Sequence, residues 1–472
     1  MSNGSVTSTV CIDTMLYGGE SRGRASDGAV VTVPFTLPGE LLELGNLATA
    51  DTPKAVRILD PSPDRIAPAC AHFGLCGGCQ YQHASYPAQL ALKQTILRET
   101  LTQSGLAELP AIATHAAEPW HYRNRIRLRL ATVDGVLRAG YNRRTTQPNQ
   151  EPQFLPITEC PIAAPLLWRA AEALASVASN ALDATAQRWL SAAVEAELFT
   201  NGDQTKLQLT LFTRTAQRKQ PSTTDPGFTK LCLALQRLIP ELTGAGIALL
   251  PAQTNDRGRR FERPKPGPQW GSLGLLYTTP AITAASDDTR PDTSLDQAFW
   301  VTRGGFFQIN RFLLPELARI ATFGRAGTLA WDLYAGVGLF SRALAQSFPQ
   351  VVAVEAAESA ATDLARALKG AGNSPHRAVA STTLDFLQAA VLQRERPDLI
   401  VMDPPRAGVG AEVCALLNRL QTPEIVFVSC DPVTLARDLA LLVAGGYHLA
   451  ELHLVDMFPQ TFHMETVAIL RR

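Results

Sequence analysis

The sequence predicts an α/β chain in three parts, with a small β-barrel at 1–62, a central α+β region at 63–290 and an α/β domain at 291–472. Three observations predict this division. Short β-branched runs between Gly and Pro pairs begin the chain, a cluster of cysteines and a basic strand follow, and strand-like runs alternate with helical patterns in the last third. With 472 residues the chain is too long for one hydrophobic core, so several domains are expected.

The charge balance limits the classes of partner. The 43 basic and 43 acidic residues give a formal net charge of zero, so affinity for nucleic acid must come from local patches. The first residues lack the basic and apolar regions of a signal peptide, and no apolar run is long enough to span a bilayer. We therefore expect a cytoplasmic protein without a membrane partner, and we favour a monomer.

The first 62 residues carry the signals of a small barrel, because short β runs are separated by Gly-Gly and Pro-Gly pairs. Tyr-Gly-Gly-Glu-Ser-Arg-Gly at 17–23, Val-Pro-Phe at 33–35 and Leu-Pro-Gly-Glu at 37–40 follow one another in the order that resembles the TRAM domain. That domain is an OB-like RNA-binding module. The resemblance implies that this part of the chain binds RNA.

Three cysteines lie close together in the central region, at Cys70, Cys76 and Cys79. Two glycines between the last pair allow the backbone to wrap tightly, so that both thiolates can reach one centre, and Cys160 could supply a fourth from a distance. Four thiolates fit a [4Fe–4S] cluster or a zinc ion, and cysteine ligation alone does not identify the metal. In a reducing compartment such a cluster favours a metal site over disulfides.

A basic strand is predicted to follow the cysteine cluster. Arginines occupy alternate positions, at Arg123, Arg125, Arg127 and Arg129, and alternate residues of a strand share one face. Because adjacent like charges on a strand face repel, we interpret this face as a surface that contacts phosphates. The alternative is a strand face that is merely solvated.

A polar stretch at 284–293 is the predicted boundary before the last domain. The first strand of that domain leads into a glycine loop at 334–338, and the second strand ends at Glu355. Such glycines allow close backbone approach to a nucleotide, and an acid after the second strand can bind ribose hydroxyls. Ser341 replaces the third glycine of a dinucleotide fingerprint, so a plain tight turn is the alternative for the loop alone.

Cys430 is the candidate nucleophile. It follows a β-branched apolar run and precedes Asp-Pro and a helical pattern, so it lies at the carboxyl end of a predicted strand. The strand before it in the chain ends in Asp-Pro-Pro-Arg at 403–406, whose prolines stiffen the loop that would close over a ligand. Ligands and chemistry are found at this edge of open α/β sheets. From the Cys430 stretch alone, a buried structural cysteine is the alternative.

Six motifs occur in the order found in the RNA uracil-5-methyltransferase family, which the chain resembles over nearly its whole length. They are Phe-Phe-Gln-Ile-Asn at 306–310, Asp-Leu-Tyr-Ala-Gly-Val-Gly at 332–338, Val-Glu at 354–355, Asp-Pro-Pro-Arg at 403–406, Ser-Cys-Asp-Pro at 429–432 and His-Met-Glu-Thr at 463–466. The resemblance implies a Rossmann-like methyltransferase domain with a seven-stranded sheet whose last strand is antiparallel. It also implies that the methyl donor is S-adenosyl-L-methionine.

The resemblance further implies a role for individual residues. The residues implied to contact S-adenosylmethionine are Gln308, Tyr334, Glu355 and Asp403. Cys430 is implied to be the nucleophile and Glu465 the base. The residues implied to hold a [4Fe–4S] cluster, with zinc as the alternative, are Cys70, Cys76, Cys79 and Cys160.

The chemistry explains why one thiolate and one carboxylate are needed. C5 of uracil is a poor nucleophile, but a thiolate that adds at C6 converts the ring into an enolate that is nucleophilic at C5. A base must then remove the C5 proton so that the thiol is eliminated. An antiparallel last strand that begins with Glu465 would start at the edge where the strand before Cys430 ends, and the helix after Pro432 could favour the thiolate.

The sequence therefore predicts S-adenosylmethionine-dependent methylation of C5 of a uridine in RNA. The cysteine cluster and the β module together resemble the ribosomal branch of the family, so 23S rRNA is the favoured partner. The alternatives are a tRNA uridine-C5 methyltransferase and a non-catalytic RNA-binding assembly factor that keeps the fold. A uridine in folded RNA would have to be flipped out of its stack to reach the thiol.

Overall fold

The computed structural model describes residues 8–44, 55–106, 108–145, 151–179, 183–214, 223–251, 264–279, 297–369, 371 and 375–472. The predicted boundary at 284–293 lies outside these residues. The described strands form sheets of five, seven, two and eight strands. Among the described helices, none is both long and apolar enough to cross a membrane.

The chain begins with an antiparallel sheet of five described strands. In chain order they are β1 (Ser8–Met15), β2 (Glu20–Ala25), β3 (Val30–Pro34), β4 (Leu41–Leu44) and β5 (Ala55–Asp60). Alternate residues such as Val10, Ile12 and Leu42 turn inward and form a small core of their own. Their order in the sheet is β3-β2-β1-β4-β5. No pairing between β3 and β5 is seen in the described part of the chain, so closure into an OB-like barrel stays a prediction.

The central region contains a second sheet with helices on one face. In chain order, the elements of the region are α1 (Tyr86–Gln103), β6 (Ile112–His115), β7 (Arg125–Val133), β8 (Val136–Asn142), β9 (Phe154–Pro156), α2 (Pro165–Ser179), α3 (Ala184–Ala192), β10 (Ala193–Thr200), β11 (Leu207–Arg214), α4 (Pro226–Leu238), β12 (Leu242–Leu250) and β13 (Lys265–Gly271). The sheet order is β13-β12-β11-β10-β7-β8-β9. Buried side chains of α2, α3 and α4 pack on the apolar face of this sheet.

Three arginines of the predicted basic strand, Arg125, Arg127 and Arg129, have partners within the protein, although the Arg127 side chain stays 47% exposed. The Nε atom of Arg127 donates to Oε2 of Glu195 on β10 at 2.7 Å. The Nη1 atom of Arg125 lies 3.6 Å from Oε1 of Glu197, also on β10. Arg129 donates to the side-chain oxygen of Asn142, the last residue of β8, at 2.7 Å. The structure thus does not support the interpretation of this face as a free phosphate-contacting stripe. The reason is that β10, which is distant in sequence, supplies opposite charges to Arg125 and Arg127.

An antiparallel pair of strands joins the central region to the last domain. Its strands β14 (Gly274–Thr279) and β15 (Gln297–Thr302) pair over their full length, although they lie on opposite sides of the predicted boundary at 290. Within the last domain, the backbone amide and the hydroxyl of Thr302 at the end of β15 each donate to the Asp363 carboxyl group at 2.8 Å, so the strand that pairs with β14 is fixed to this domain. The two regions are therefore joined by packed elements as well as by the chain.

The last domain alternates strands and helices. Its elements are α5 (Leu314–Thr322), β16 (Leu329–Leu333), α6 (Leu339–Leu344), β17 (Gln350–Glu355), α7 (Glu358–Lys369), β18 (Arg377–Ala380), α8 (Thr383–Gln393), β19 (Leu399–Met402), α9 (Gly410–Leu420), β20 (Glu424–Ser429), α10 (Pro432–Ala444), β21 (His448–Val455) and β22 (Glu465–Arg471). The sheet order is β18-β17-β16-β19-β20-β22-β21-β6. The strand order reverses between β16 and β19, which is where such sheets bind ligands.

The predicted antiparallel last strand is present, since β22 runs antiparallel to both β20 and β21. The last domain itself contributes the predicted seven strands, β16 to β22, and an eighth strand extends the described sheet. The extra strand is β6 from the central region, which pairs in parallel with β21. It covers a sheet edge that would otherwise expose unpaired backbone groups.

The core of this domain lies on both faces of the sheet. Trp331, Met402 and Phe427 face one helical layer, while the neighbouring residues of the same strands face the other. Helix α1 of the central region joins the first layer, where Leu97 and Leu101 belong to the same buried cluster. Helix α1 of the central region is thus part of the last domain's packing.

Candidate active site

The carboxyl ends of β16, β19 and β20 meet at one edge of the eight-stranded sheet. Asp403 follows β19, Cys430 follows β20 and Glu465 opens β22. Ser429 pairs with Thr466 across the two antiparallel strands, so the next residue on each strand is Cys430 on one side and Glu465 on the other. The structure therefore places the two residues at the same edge, beside the carboxyl group of Asp403.

The Cys430 thiol is surrounded by more negative than positive charge. Burial is the main cause that raises its pKa to about 12, followed by the carboxylates of Glu465 and Asp403. Arg406 acts in the opposite direction and lowers the pKa of the thiol. In the protein alone, the thiol is therefore protonated at neutral pH.

The N-terminal backbone amides of the helix after Cys430 are not free to stabilise the thiolate, contrary to what the sequence suggested. The Asp431 side chain caps α10 by accepting hydrogen bonds from the backbone amides of Val433 and Thr434, both at 3.0 Å. Because these amides already bind an anion, the expectation that they favour the thiolate is wrong. Asp431 itself adds to the charges that raise the pKa of Cys430.

Glu465 is a buried acid with an unused acceptor. Its side chain is 2% exposed, and its Oε1 atom has no hydrogen-bond partner among the described residues. Burial, and then the nearby Asp403, raise the pKa of this carboxyl well above its usual range. A buried polar atom without a partner costs free energy, and such atoms are typical of sites that a substrate completes.

Arg406 and His463 form a basic pair beside these acids, and neither was assigned a role by the sequence. Arg406 Nη2 lies 3.2 Å from Nδ1 of His463. Burial lowers the pKa of His463 to about 4, so its ring is neutral and can accept a hydrogen bond from the guanidinium. Arg406 also lowers the pKa of Glu465. Its position directly after two prolines at a strand end was the signal that could have identified it.

The glycine loop is held by Glu355 and by unusual backbone angles. Glu355 accepts hydrogen bonds from the amides of Gly336 at 2.9 Å and Ala357 at 2.6 Å. Tyr334, at the start of the loop, has a φ of 61°, which costs free energy for a residue with a side chain. A Cβ atom added at Gly338 would lie 2.9 Å from a methyl group of Leu364. The loop therefore has a conformation that these residues specify.

Asp403 and a further acid, Asp332, each accept a hydrogen bond from a neighbouring side chain. Gln308 donates from Nε2 to Asp403 at 2.9 Å, and its own carbonyl accepts a hydrogen bond from Asn124 of the central region at 2.9 Å. The hydroxyl of Ser341 donates to Asp332, whose other oxygen, Oδ1, is buried without a partner in the described structure. Burial raises the pKa of Asp332 to about 7.

These groups fit S-adenosylmethionine by their chemistry. The methyl donor carries an amine, a sulfonium and ribose hydroxyls, and this sheet edge offers carboxyl groups, an unpartnered oxygen on Asp332 and, at Gly336, open space where a Cβ atom would stand. The four residues that the resemblance implied for this role, Gln308, Tyr334, Glu355 and Asp403, all border this region. Asp332 was missed as a separate candidate, although it opens the glycine motif.

Four of the five cysteines of the central region, Cys70, Cys76, Cys79 and Cys160, lie in one neighbourhood. Cys79 interacts electrostatically with Cys76 and Cys160, and Cys76 does so with Cys70. The amide of Gly78 donates to Sγ of Cys76 at 3.4 Å. However, no group of three or more His, Cys, Asp or Glu side chains in the described ranges is arranged to hold a metal ion. The donor chemistry fits a thiolate-bound centre, but the geometry does not show one.

Comparison with known proteins shows to which family the chain is related. A family model described as tRNA (Uracil-5-)-methyltransferase matches residues 377–472. A protein of Aromatoleum aromaticum named 23S rRNA (uracil(1939)-C(5))-methyltransferase is 31% identical, over 96% of this chain and 97% of its own length. A Streptomyces coelicolor protein described as an uncharacterized RNA methyltransferase is also 31% identical, over 97% of this chain and 91% of its own.

The fold is shared with a solved structure. The tRNA (uracil-54, C5)-methyltransferase of Pyrococcus abyssi, in complex with S-adenosyl-L-homocysteine, superposes with a TM-score of 0.67 at 21% identity, over 98% of this chain and 100% of that chain. This likeness establishes the α/β fold of S-adenosylmethionine-dependent methyltransferases. With relatives at 31% identity across nearly their whole length, the chain belongs to the RNA (uracil-5-)-methyltransferase family of enzymes.

Proposed function

We propose that this enzyme methylates C5 of a uridine in 23S rRNA through a covalent bond between Cys430 and C6 of the base. The observation that carries the proposal is the placement of Cys430 and Glu465 at adjacent ends of β20 and β22. A thiol and a buried carboxyl at one sheet edge, beside the acid-lined glycine loop, are the two groups that C5 alkylation requires.

The first step belongs to Cys430. Its sulfur forms a bond to C6, and the electron pair of the C5–C6 double bond moves toward O4 to give an enolate. Gln308, Tyr334, Glu355 and Asp403 would hold S-adenosylmethionine, which would supply the electrophilic methyl group for C5 and leave as S-adenosylhomocysteine. Ionisation of the thiol must overcome burial and three carboxylates, and Arg406 is a cation that favours it.

The second step belongs to Glu465. Its carboxylate removes the C5 proton, the electrons of the C–H bond restore the C5–C6 double bond, and the sulfur leaves C6 with its bonding pair. A buried carboxyl with a raised pKa is a stronger base than an exposed one, which suits this abstraction. The Oε1 atom without a partner is the acceptor that is available for the proton.

The choice of 23S rRNA rests on the Aromatoleum aromaticum relative, which covers 96% of the chain and bears a 23S rRNA name. The strand-rich N-terminal module, which we propose binds RNA as a TRAM-like domain spanning 1–62, is consistent with a large RNA substrate. We propose that residues 63–290 and 291–472 form the central and catalytic domains.

The test is transfer of a radioactive methyl group to purified 23S rRNA and to tRNA, each lacking the modification, followed by mapping of the labelled nucleotide. We expect 5-methyluridine in 23S rRNA. Label in tRNA alone would assign the enzyme to transfer RNA, and label on any atom other than C5 of uridine would overturn the proposed chemistry.

We also propose that Cys70, Cys76, Cys79 and Cys160 hold a [4Fe–4S] cluster, with zinc as the alternative. The mutual proximity of the four thiols and the amide donor to Cys76 support this, because backbone hydrogen bonds to sulfur are usual around such clusters. Protein purified without oxygen should show broad iron–sulfur absorption. A colourless, zinc-loaded and fully active protein would support zinc instead.

A further inference from the structure

One side chain from the N-terminal sheet reaches the catalytic edge. Tyr17 lies in the turn between β1 and β2, and its hydroxyl donates to Oδ2 of Asp431 at 3.2 Å, across 414 positions of sequence. Its ring meets the ring of Phe462 edge to face, with centroids 5.3 Å apart. Asp431 directly follows Cys430, and Phe462 lies in the loop that ends at Glu465. One residue therefore touches both chain segments that carry the catalytic pair.

The turn that carries Tyr17 has a defined shape. Gly18 and Gly19 have φ angles of 113° and 88°, in the region that favours glycine. A Cβ atom on Gly19 would lie 2.7 Å from Cβ of Gln80, so the turn packs directly against the segment after the cysteine cluster. This close approach prevents the turn from moving freely relative to the central region.

The same segment holds the loop before Glu465. The backbone amide of Gln80 donates to the carbonyl of Gln460 at 3.0 Å, and its Oε1 accepts a hydrogen bond from the amide of Phe462 at 3.4 Å. Deeper in the protein, Lys93 of α1 donates to Asp456 at 2.6 Å where that loop begins. The loop at 456–464 is thus anchored on elements outside the catalytic domain.

We propose that Tyr17 is a positioning residue for methyl transfer, which holds Asp431 and Phe462 so that Cys430 stands opposite Glu465. This inference rests on the proposed roles of Cys430 and Glu465. It means that the N-terminal module does more than tether RNA, because its β1–β2 turn completes the support of the catalytic pair. Tyr17 itself does not contact the reacting atoms in this role.

The hydrogen bond from Tyr17 also has an electrostatic consequence. The groups that face Cys430 are Glu465, Asp403, Asp431 and Arg406, and the negative charge of Asp431 disfavours the thiolate. A hydroxyl donor to Asp431 withdraws part of that charge. Burial, and then Asp431, raise the pKa of Tyr17 far above its usual value, so it stays a donor throughout the working pH range.

The test compares Tyr17→Phe with wild type in steady-state methyl transfer. Loss of the hydroxyl should lower kcat about tenfold, the effect of one hydrogen bond to a charged group, with KM for RNA and affinity for S-adenosylmethionine unchanged. The pH at which kcat/KM is half-maximal should move upward, because Asp431 keeps its full charge beside the thiol. The Asp431→Asn variant keeps a capping side chain but loses the negative charge. In this background, adding Tyr17→Phe should change kcat no further, because the charge on which the hydroxyl acts is absent.

Tyr447→Phe is the matched control. The Tyr447 hydroxyl is buried and donates to the carbonyl of Thr422 at 3.0 Å, but it lies before β21, at the sheet edge opposite Cys430. This variant should keep wild-type kcat.

If Tyr17→Phe keeps wild-type kcat and pH profile while Cys430→Ala is inactive, the inference about Tyr17 is wrong and the proposed function stands. If Cys430→Ala retains activity, the proposed function itself fails. An effect of Tyr17→Phe confined to KM for RNA would make Tyr17 a simple RNA contact and overturn its positioning role.

Discussion

Replacing Glu465 with Gln separates the two halves of the proposed reaction. Gln has nearly the same size and fits the same buried position, but it cannot take the C5 proton. The bond between Cys430 and C6 should form, and the methylated adduct should then persist. Loss of a general base slows such a step by about 10²- to 10⁴-fold, and turnover should fall by a factor in this range.

The structure also predicts what happens to adduct formation in this variant. Glu465 is, after burial, the largest cause of the raised pKa of Cys430. An uncharged Gln removes that repulsion, so the thiol should ionise at lower pH than in the wild type. The adduct should therefore form at least as fast as in the wild type, although product release is slow.

The assay is denaturing gel electrophoresis of enzyme mixed with labelled RNA and methyl donor, with turnover measured in parallel. Glu451→Gln is a suitable control, because Glu451 lies on the neighbouring strand β21, is partly exposed and pairs with Arg471 at 2.8 Å. It should show wild-type turnover and no persistent adduct. Near-normal turnover of Glu465→Gln, or slow turnover without a shifted band, would refute the reasoning.

Three other outcomes are expected. Cys430→Ala should abolish methyl transfer yet bind S-adenosylmethionine normally in calorimetry, and residual transfer would exclude Cys430 as the nucleophile. Burial raises the pKa of Asp332 from 3.8 to about 7, so the folded protein loses stability as the pH rises between these two values. Because Asn does not ionise, Asp332→Asn should raise Tm more at pH 8 than at pH 5 in thermal scans. Lys93→Met leaves Asp456 as an unpaired buried charge and should lower the free energy of unfolding by about 3–5 kcal/mol in urea titrations, whereas the double variant Lys93→Met, Asp456→Leu should recover most of it.

The sequence was sufficient for the features that depend on neighbouring residues. Cys430 is the end of a β-branched run followed by Asp-Pro, and Glu465 is the start of another such run, so both strand ends could be predicted locally. The order of the motifs then predicted an open α/β sheet with an antiparallel last strand, and in such a sheet these two ends share an edge. The family assignment followed from the same motifs.

The features that depend on distant pairing were decided by the tertiary structure. The arginines of β7 looked unopposed because Glu195 and Glu197 come much later in the chain and meet them only across a sheet. Strand β6 has only four residues, too few to predict from the sequence that it extends the catalytic sheet. The sequence suggested that the helix after Pro432 favours the thiolate of Cys430, but the Asp431 carboxylate caps that helix and raises the pKa of the thiol. Tyr17 reaches Asp431 across most of the chain. In each case the decisive charge or hydrogen bond comes from a segment whose position only packing determines, and no local pattern encodes it.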